Sequence, residues 1–106
     1  MHLSKRLQRV ADNVLSGGVV ADIGCDHGFT SIYLIRHKKV TKAIAMDINE
    51  GPLERAKEHM LSYGVEEHME LRLSDGLQML DADEADTLLI SGMGGALICQ
   101  ILEAKE

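Results

Sequence analysis

The stretch VVADIGCDHGF, residues 19–29, opens like a nucleotide-binding strand and turn and then departs from one. A short apolar run ends in Asp22, and Gly24 follows as the first glycine of a strand-to-helix turn. Where a dinucleotide fingerprint needs its second glycine, this chain carries Asp26, with His27 beside it. A turn that comes close to its ligand and carries two carboxylates asks for a ligand without clustered negative charge.

On both sides of this turn the chain alternates strand and helix. VVADI (19–23) is bounded by glycines and reads as a buried parallel strand, and Thr30 to His37 returns to helical spacing through Ile32, Leu34 and Ile35. KAIAMDI, ending near Asp47, is a second buried strand. Gly51-Pro52 then opens a helix that carries Leu53, Ala56, Met60 and Leu61 inward and stops at Gly64. MELRLSDG sets Met69, Leu71 and Leu73 against Glu70 and Arg72, the alternation of a half-buried strand. A short helical turn from Leu77 to Leu80 precedes ADTLLISGMGG, a fourth strand, and ALICQILEA begins a last helix. Ahead of all these, LSKRLQRVADNVLSGG repeats Leu3, Leu7, Val10, Ala11 and Val14 at helical spacing, with Ser4 as N-cap and Gly17-Gly18 as the stop.

This alternation predicts an α/β, Rossmann-like fold: right-handed βαβ units, a parallel sheet of about four strands and helices on both faces. Each strand ends in a polar or glycine-rich turn, namely Asp22-Ile23-Gly24, Asp47-Ile48-Asn49, Ser74-Asp75-Gly76 and Ser91 to Gly95. Ligands of open α/β sheets sit outside the carboxyl ends of the strands, so the four turns converge on one crevice.

Composition bounds what that crevice serves. A chain of 106 residues is at most one domain and buries roughly two thirds of its unfolded surface. With one Phe and two Tyr, the core must be filled by Leu, Ile, Val, Ala and Met. A net charge of −6 argues against nucleic-acid binding over the whole surface, because phosphate affinity needs clustered Lys and Arg. Two local basic groups remain: Lys5, Arg6 and Arg9, and Arg36, Lys38, Lys39 and Lys42. Each is either a polyanion contact or a solvated helix face or end. Cys25 and Cys99 have neither metal-ligand nor disulfide-framework spacing, which fits a reducing, cytoplasmic setting, and the five histidines lack paired spacing, so no metal site is expected. No apolar run approaches the roughly 20 residues of a membrane span, and no signal-peptide core is present at the N-terminus.

The acidic turns discriminate between ligands. A dinucleotide brings a pyrophosphate to the first glycine turn, where Asp22 and Asp26 would oppose it by several kcal/mol before screening at about 4 Å separation. S-adenosylmethionine has no phosphate and carries a sulfonium and an ammonium, which the same carboxylates favour. Asp47 is placed to accept both ribose hydroxyls, a contact that NAD would also use. Asp75 can accept from an adenine amino group, with Gly76 admitting the base edge; in isolation the pair also reads as an ordinary turn. Asp22 is alternatively a capping carboxylate and Cys25 a small core filler. His27 is either a base or a hydrogen-bonding member of the loop.

LSKRLQRVA, ADIGCDHGF, INEGP and EADTLLISGMGGALICQIL together resemble the bacterial tRNA (adenine-22-N1)-methyltransferases, the TrmK family, across essentially the whole chain. The most specific parts are the D-I-G-x-D-H turn and E-A-D-T…G-M-G-G. The resemblance implies a class I methyltransferase that uses S-adenosylmethionine to methylate N1 of an adenine in tRNA. It assigns Asp22, Gly24 and Asp26 to the methionine end of the cofactor, Asp47 to the ribose, and Asp75 and Gly76 to the adenine, and Ile48 is a further expected cofactor-binding residue. Gly92, Met93 and Gly94 fall where amino-methylating relatives carry an Asn/Asp-Pro-Pro-aromatic loop; here neither proline nor aromatic is present. The resemblance also implies strand order 3-2-1-4 and, for residues 1–106, the N-terminal portion of a longer domain whose further strands and helical region engage tRNA. The fourth strand would then be an exposed apolar edge prone to self-association. Lys5, Arg6 and Arg9 are the expected tRNA contacts. A cofactor-binding fragment without turnover is the alternative function, with a nicotinamide-dependent oxidoreductase behind it.

Overall fold

The computed structural model describes Lys5 and residues 17–25, 27–81, 83–91 and 97–101. Among the described residues, five strands make one sheet: β1 (Gly18–Ile23), β2 (Val40–Asp47), β3 (Met69–Leu73), β4 (Thr87–Ser91) and β5 (Leu97–Ile101), in the order β3-β2-β1-β4-β5. Helix α1 (Phe29–Arg36) links β1 to β2, and α2 (Glu50–Ser62) links β2 to β3. The pairs β1–β2, β2–β3 and β1–β4 are all parallel, so the expected four-strand parallel sheet in the order 3-2-1-4 is present. The chain moves outward from β1 through β2 to β3 and then returns to the other side of β1, which makes the β1–β4 boundary a topological switch point.

Side-chain size along the central strands explains the layering. In β2, Ala43 and Ala45 face one side and Ile44 and Met46 the other, and all four are buried. The alanines share a core with Val20, Leu89, Ile32, Leu34, Ile35, Ala56 and Met60, so both helices pack closely over this face. Gly28 lets them do so. A Cβ there would lie 3.0 Å from Cβ of Ala56 and 3.2 Å from the Met69 methyl, and its φ of 76° is strained for any L side chain. The opposite face holds Ala21, Ile44, Met46 and Leu88 against Ala85 and Leu80. Helices were expected on both faces; the two described helices share one, and the segment between β3 and β4 contributes to covering the other. The expected leading helix lies outside the described residues, apart from an exposed, helical Lys5.

Two expectations need correction. Leu61 was expected to face inward but is 54% exposed, because Leu53, Ala56 and Met60 already define the buried stripe and Leu61 sits a further 100° or so around the helix. Residues 97–101 were expected to begin a helix and instead form β5, antiparallel to β4 with Leu89 opposite Cys99. A short apolar run satisfies either periodicity, and here the unsatisfied outer edge of β4 decides between them. The exposed β4 edge on which self-association was predicted is therefore paired, and among the described residues the edges of the sheet are β3 and β5. Among the described residues, no helix is long and apolar enough to cross a membrane.

Candidate functional site at the carboxyl ends of the strands

The turn after β1 is closed upon itself. The N–H groups of Gly24 and Cys25 both donate to the Met46 carbonyl, at 2.8 and 3.0 Å, and the Gly28 N–H donates to the Cys25 carbonyl at 2.8 Å. These bonds continue the β1–β2 pairing into the turn and fix its first residues against the neighbouring strand. Gly28 is the N-cap of α1 and supplies no side-chain cap, so the helix start has the positive dipole end that suits an anion.

Asp22 lies beneath the turn. It is 2% exposed, and its Oδ2 accepts a hydrogen bond from Ser31 Oγ at 2.8 Å. Burial pushes its carboxyl up to about 6, the Ser31 hydroxyl opposes that, and the nearby Asp47 charge adds to it. Asp22 is thus the carboxylate at the base of the crevice, tied to the first turn of α1. His27 is exposed, and its backbone carbonyl accepts from His59 Nδ1–H at 2.8 Å. The His27 ring stacks near Phe29, and Phe29 stacks on His59 with centroids 4.3 Å apart. Asp26 lies outside the described residues.

The ends of β2 and β3 are joined by a hydrogen bond from the Ser74 N–H to the Asp47 carbonyl, 2.9 Å long. Asp47 is half-buried, and its Oδ1 accepts the Asn49 N–H at 3.0 Å, which aims the carboxylate across the strand end. Ser74 is buried and shapes the next turn: its Oγ donates to the Gly76 carbonyl at 2.8 Å and accepts the Met79 N–H at 3.2 Å. Gly76 has φ of 61°, and a Cβ there would meet nothing within 4 Å, so glycine serves the backbone conformation and leaves the space beside it open. Asp75 is exposed. Ile48, Leu73 and Leu77, at 59%, 49% and 47% exposure, put apolar surface beside the two carboxylates.

No lysine or arginine stands in the described parts of these turns. Carboxylates, apolar walls and an uncapped helix start suit a ligand with a cationic centre, vicinal hydroxyls, a flat ring and one carboxylate; they do not suit a pyrophosphate. Of the expected site residues, Asp22, Gly24, Asp47, Ile48, Asp75 and Gly76 gather at this end of the sheet. Gly92, Met93, Gly94, Arg6 and Arg9 lie outside the described residues. Arg36, Lys38 and Lys39 fall at the opposite end, where α1 hands over to β2, and Lys42 pairs with Glu70 at 3.2 Å.

Ser31, Asn49 and Ser74 were not singled out from the sequence as site residues. A signal existed for two of them, since D-x-N and S-D-G favour Asx and Ser turns. Ser31 is linked to Asp22 only by the fold.

The fold is that of a Rossmann-like α/β domain with its polar turns at the carboxyl ends of the strands, and the chain belongs to the methyltransferase-domain family, which it matches over residues 3–106. More particularly, it is 45% identical over 98% of its length to the tRNA (adenine(22)-N(1))-methyltransferase of Bacillus subtilis, of which it spans 44%. The TrmK of M. capricolum, solved with S-adenosyl-homocysteine, superposes with a TM-score of 0.81 at 35% identity, over 87% of this chain and 42% of that one. A Streptococcus pneumoniae chain solved with S-adenosyl-L-methionine gives a TM-score of 0.81 at 34% identity, over 88% of this chain and 44% of that one. The chain thus spans less than half the length of each of these relatives.

Proposed function

We propose that residues 1–106 form the cofactor-binding, N-terminal portion of an S-adenosylmethionine-dependent methyltransferase acting on N1 of an adenine in tRNA, in a cytoplasmic setting. The observation that carries this reading is the turn after β1: its Gly24 and Cys25 N–H groups are bonded to Met46, and the carboxylate below it is Asp22. A carboxylate beneath the turn, with no lysine or arginine in the described parts of the strand-end turns, disfavours clustered phosphate and favours positive charge. Asp22, Gly24 and Asp26 serve the methionine end, Asp47 the ribose hydroxyls, and Asp75 and Gly76 the adenine, with Ile48 as a further cofactor contact.

S-adenosylmethionine supplies an electrophilic methyl group on a sulfonium. Adenine N1 has an in-plane lone pair and is nucleophilic as it stands, so the chain's task is in-line positioning rather than prior deprotonation. Gly92, Met93 and Gly94 hold the base edge through backbone groups, and His27 flanks the crevice. Lys5, Arg6 and Arg9 contact the tRNA backbone.

Calorimetric titration with S-adenosylmethionine, S-adenosylhomocysteine and NAD tests the cofactor assignment. Binding of the first two and not of NAD is expected; tighter binding of NAD overturns it. A methyl-transfer assay on unmodified tRNA then separates an enzyme from a domain that holds cofactor without turnover, the alternative reading.

A further inference from the structure

Arg72 gathers three segments around one guanidinium. Its Nε–H and Nη2–H donate to Glu70 Oε2 on the same strand, the former at 2.8 Å. Its Nη1–H donates at 2.7 Å to the Met79 carbonyl and at 2.7 Å to Glu84 Oε1, while Nη2–H reaches Glu84 Oε2 at 2.9 Å. Glu84 Oε1 also accepts the Asp81 N–H at 2.9 Å. The Arg72 side chain is only 18% exposed. Its hydrogen bond holds the Glu84 carboxyl down to about 2 and lowers that of Glu70, so the cluster stays ionised through the neutral range.

The segment that this cluster clamps is the one carrying Asp75 and Gly76. Residues 75–79 are exposed and bury little apolar surface, so polar ties set their shape. Ser74 ties the near side through the Gly76 carbonyl and the Met79 N–H. Arg72 ties the far side through the Met79 carbonyl and, by way of Glu84, the Asp81 N–H. The paired contacts to Glu84 need the planar, two-pronged donor of arginine, which an ammonium group does not offer.

We propose that Arg72 is a positioning residue for the adenine end of the crevice: it fixes the turn that presents the Asp75 acceptor to the base edge. This rests on the reading of the crevice as an S-adenosylmethionine site. A tie that only supported the fold would affect all ligands alike, whereas one that sets the Asp75 acceptor affects discrimination at the exocyclic position of the base.

The test compares S-adenosylhomocysteine with S-inosylhomocysteine, whose base carries an oxygen in place of the amino group. Titrations are run on the wild-type chain, Arg72→Met, Arg72→Lys, Glu84→Gln and the double variant Arg72→Met, Glu84→Gln. The wild type is expected to prefer the adenine ligand. Arg72→Met should weaken that ligand about tenfold, the scale of one or two lost charge-assisted hydrogen bonds, and leave the inosine ligand within about twofold. Arg72→Lys should behave like Arg72→Met, and Arg72→Met combined with Glu84→Gln should be no worse than Arg72→Met alone. Should Arg72→Met fail to fold by circular dichroism, Arg72→Lys and Glu84→Gln carry the same comparison. Equal losses for both ligands, or an unchanged preference in folded variants, overturn the proposal. A wild-type chain that binds neither ligand overturns instead the cofactor reading on which it stands.

Discussion

A carboxylate that is 2% exposed has lost most of its hydration, and at Asp22 the hydroxyl of Ser31 replaces part of it. Burial moves the group from its ordinary 3.8 up to about 6, a difference worth about 3 kcal/mol against the ionised form. The unfolded chain releases this proton near pH 4 and the folded chain near pH 6. Between those values the folded state binds more protons, so Asp22 lowers stability progressively as pH rises from 4 to 6, and the cost is complete above that. Asp22→Asn keeps an acceptor for Ser31 and removes the charge. It should stabilise the chain at pH 7.5 by about 1–3 kcal/mol and by almost nothing at pH 4, read from urea unfolding at the two values. Under the cofactor reading, the same variant should weaken S-adenosylmethionine binding. A destabilised Asp22→Asn at pH 7.5 would show that the carboxylate contributes more through its bonds than it loses by burial. The acid at this strand end was legible in the sequence because strand-end residues are local. Its depth and its partner Ser31 depend on how α1 folds back over β1, which no local pattern encodes.

At the scale of elements, the strands and helices from β1 to β4 were legible because their periodicities are unambiguous: β2 is apolar on both faces, β3 alternates, and α2 is bounded by Pro52 near its start and Gly64 beyond its end. Leu97–Ile101 was misread because a five-residue, mostly apolar run carries no preference between helix and strand, and the deciding factor is the outer edge of β4. Pairing with β5 has a measurable consequence. Adjacent N–H groups of a strand point to opposite sides, so of Cys99 and Gln100 one donates toward β4. The double variant Cys99→Pro, Gln100→Pro should remove that bond, release β5 and expose the β4 edge. Sedimentation velocity should then show concentration-dependent association in the variant and not in the wild type. Equal behaviour of the two chains would mean that β5 does not protect the edge. The Arg72 cluster was equally hidden: Arg72 and Glu70 share one face of an alternating strand, which marks an exposed pair, but Glu84 reaches them only through the turn between β3 and β4.

The described basic cluster and the candidate crevice lie at opposite ends of the sheet, and that separation constrains how a polyanion approaches. Asp22, Asp47 and Asp75 lie at the carboxyl ends of the strands, while Arg36, Lys38 and Lys39 lie where α1 meets the amino end of β2. An eight-residue strand such as β2 spans about 25 Å, roughly three Debye lengths at physiological salt, so these cations are screened from anything held in the crevice. Phosphates flanking a base bound there meet carboxylates first, and attraction has to come from another cationic surface. Lys5, Arg6 and Arg9 are the other local basic group in the sequence. Replacing these three by serine should weaken tRNA binding and lower the slope of log K against log salt by about 2, at about 0.7–0.9 per neutralised contact. Replacing Arg36, Lys38 and Lys39 should leave both quantities unchanged within error. Filter binding of an unmodified tRNA across a salt series distinguishes the two variants. The reverse pattern would mean that tRNA is held from the amino end of the sheet, too far for the same nucleotide to enter the crevice, and the assignment of the crevice to an adenine of tRNA would fall with it.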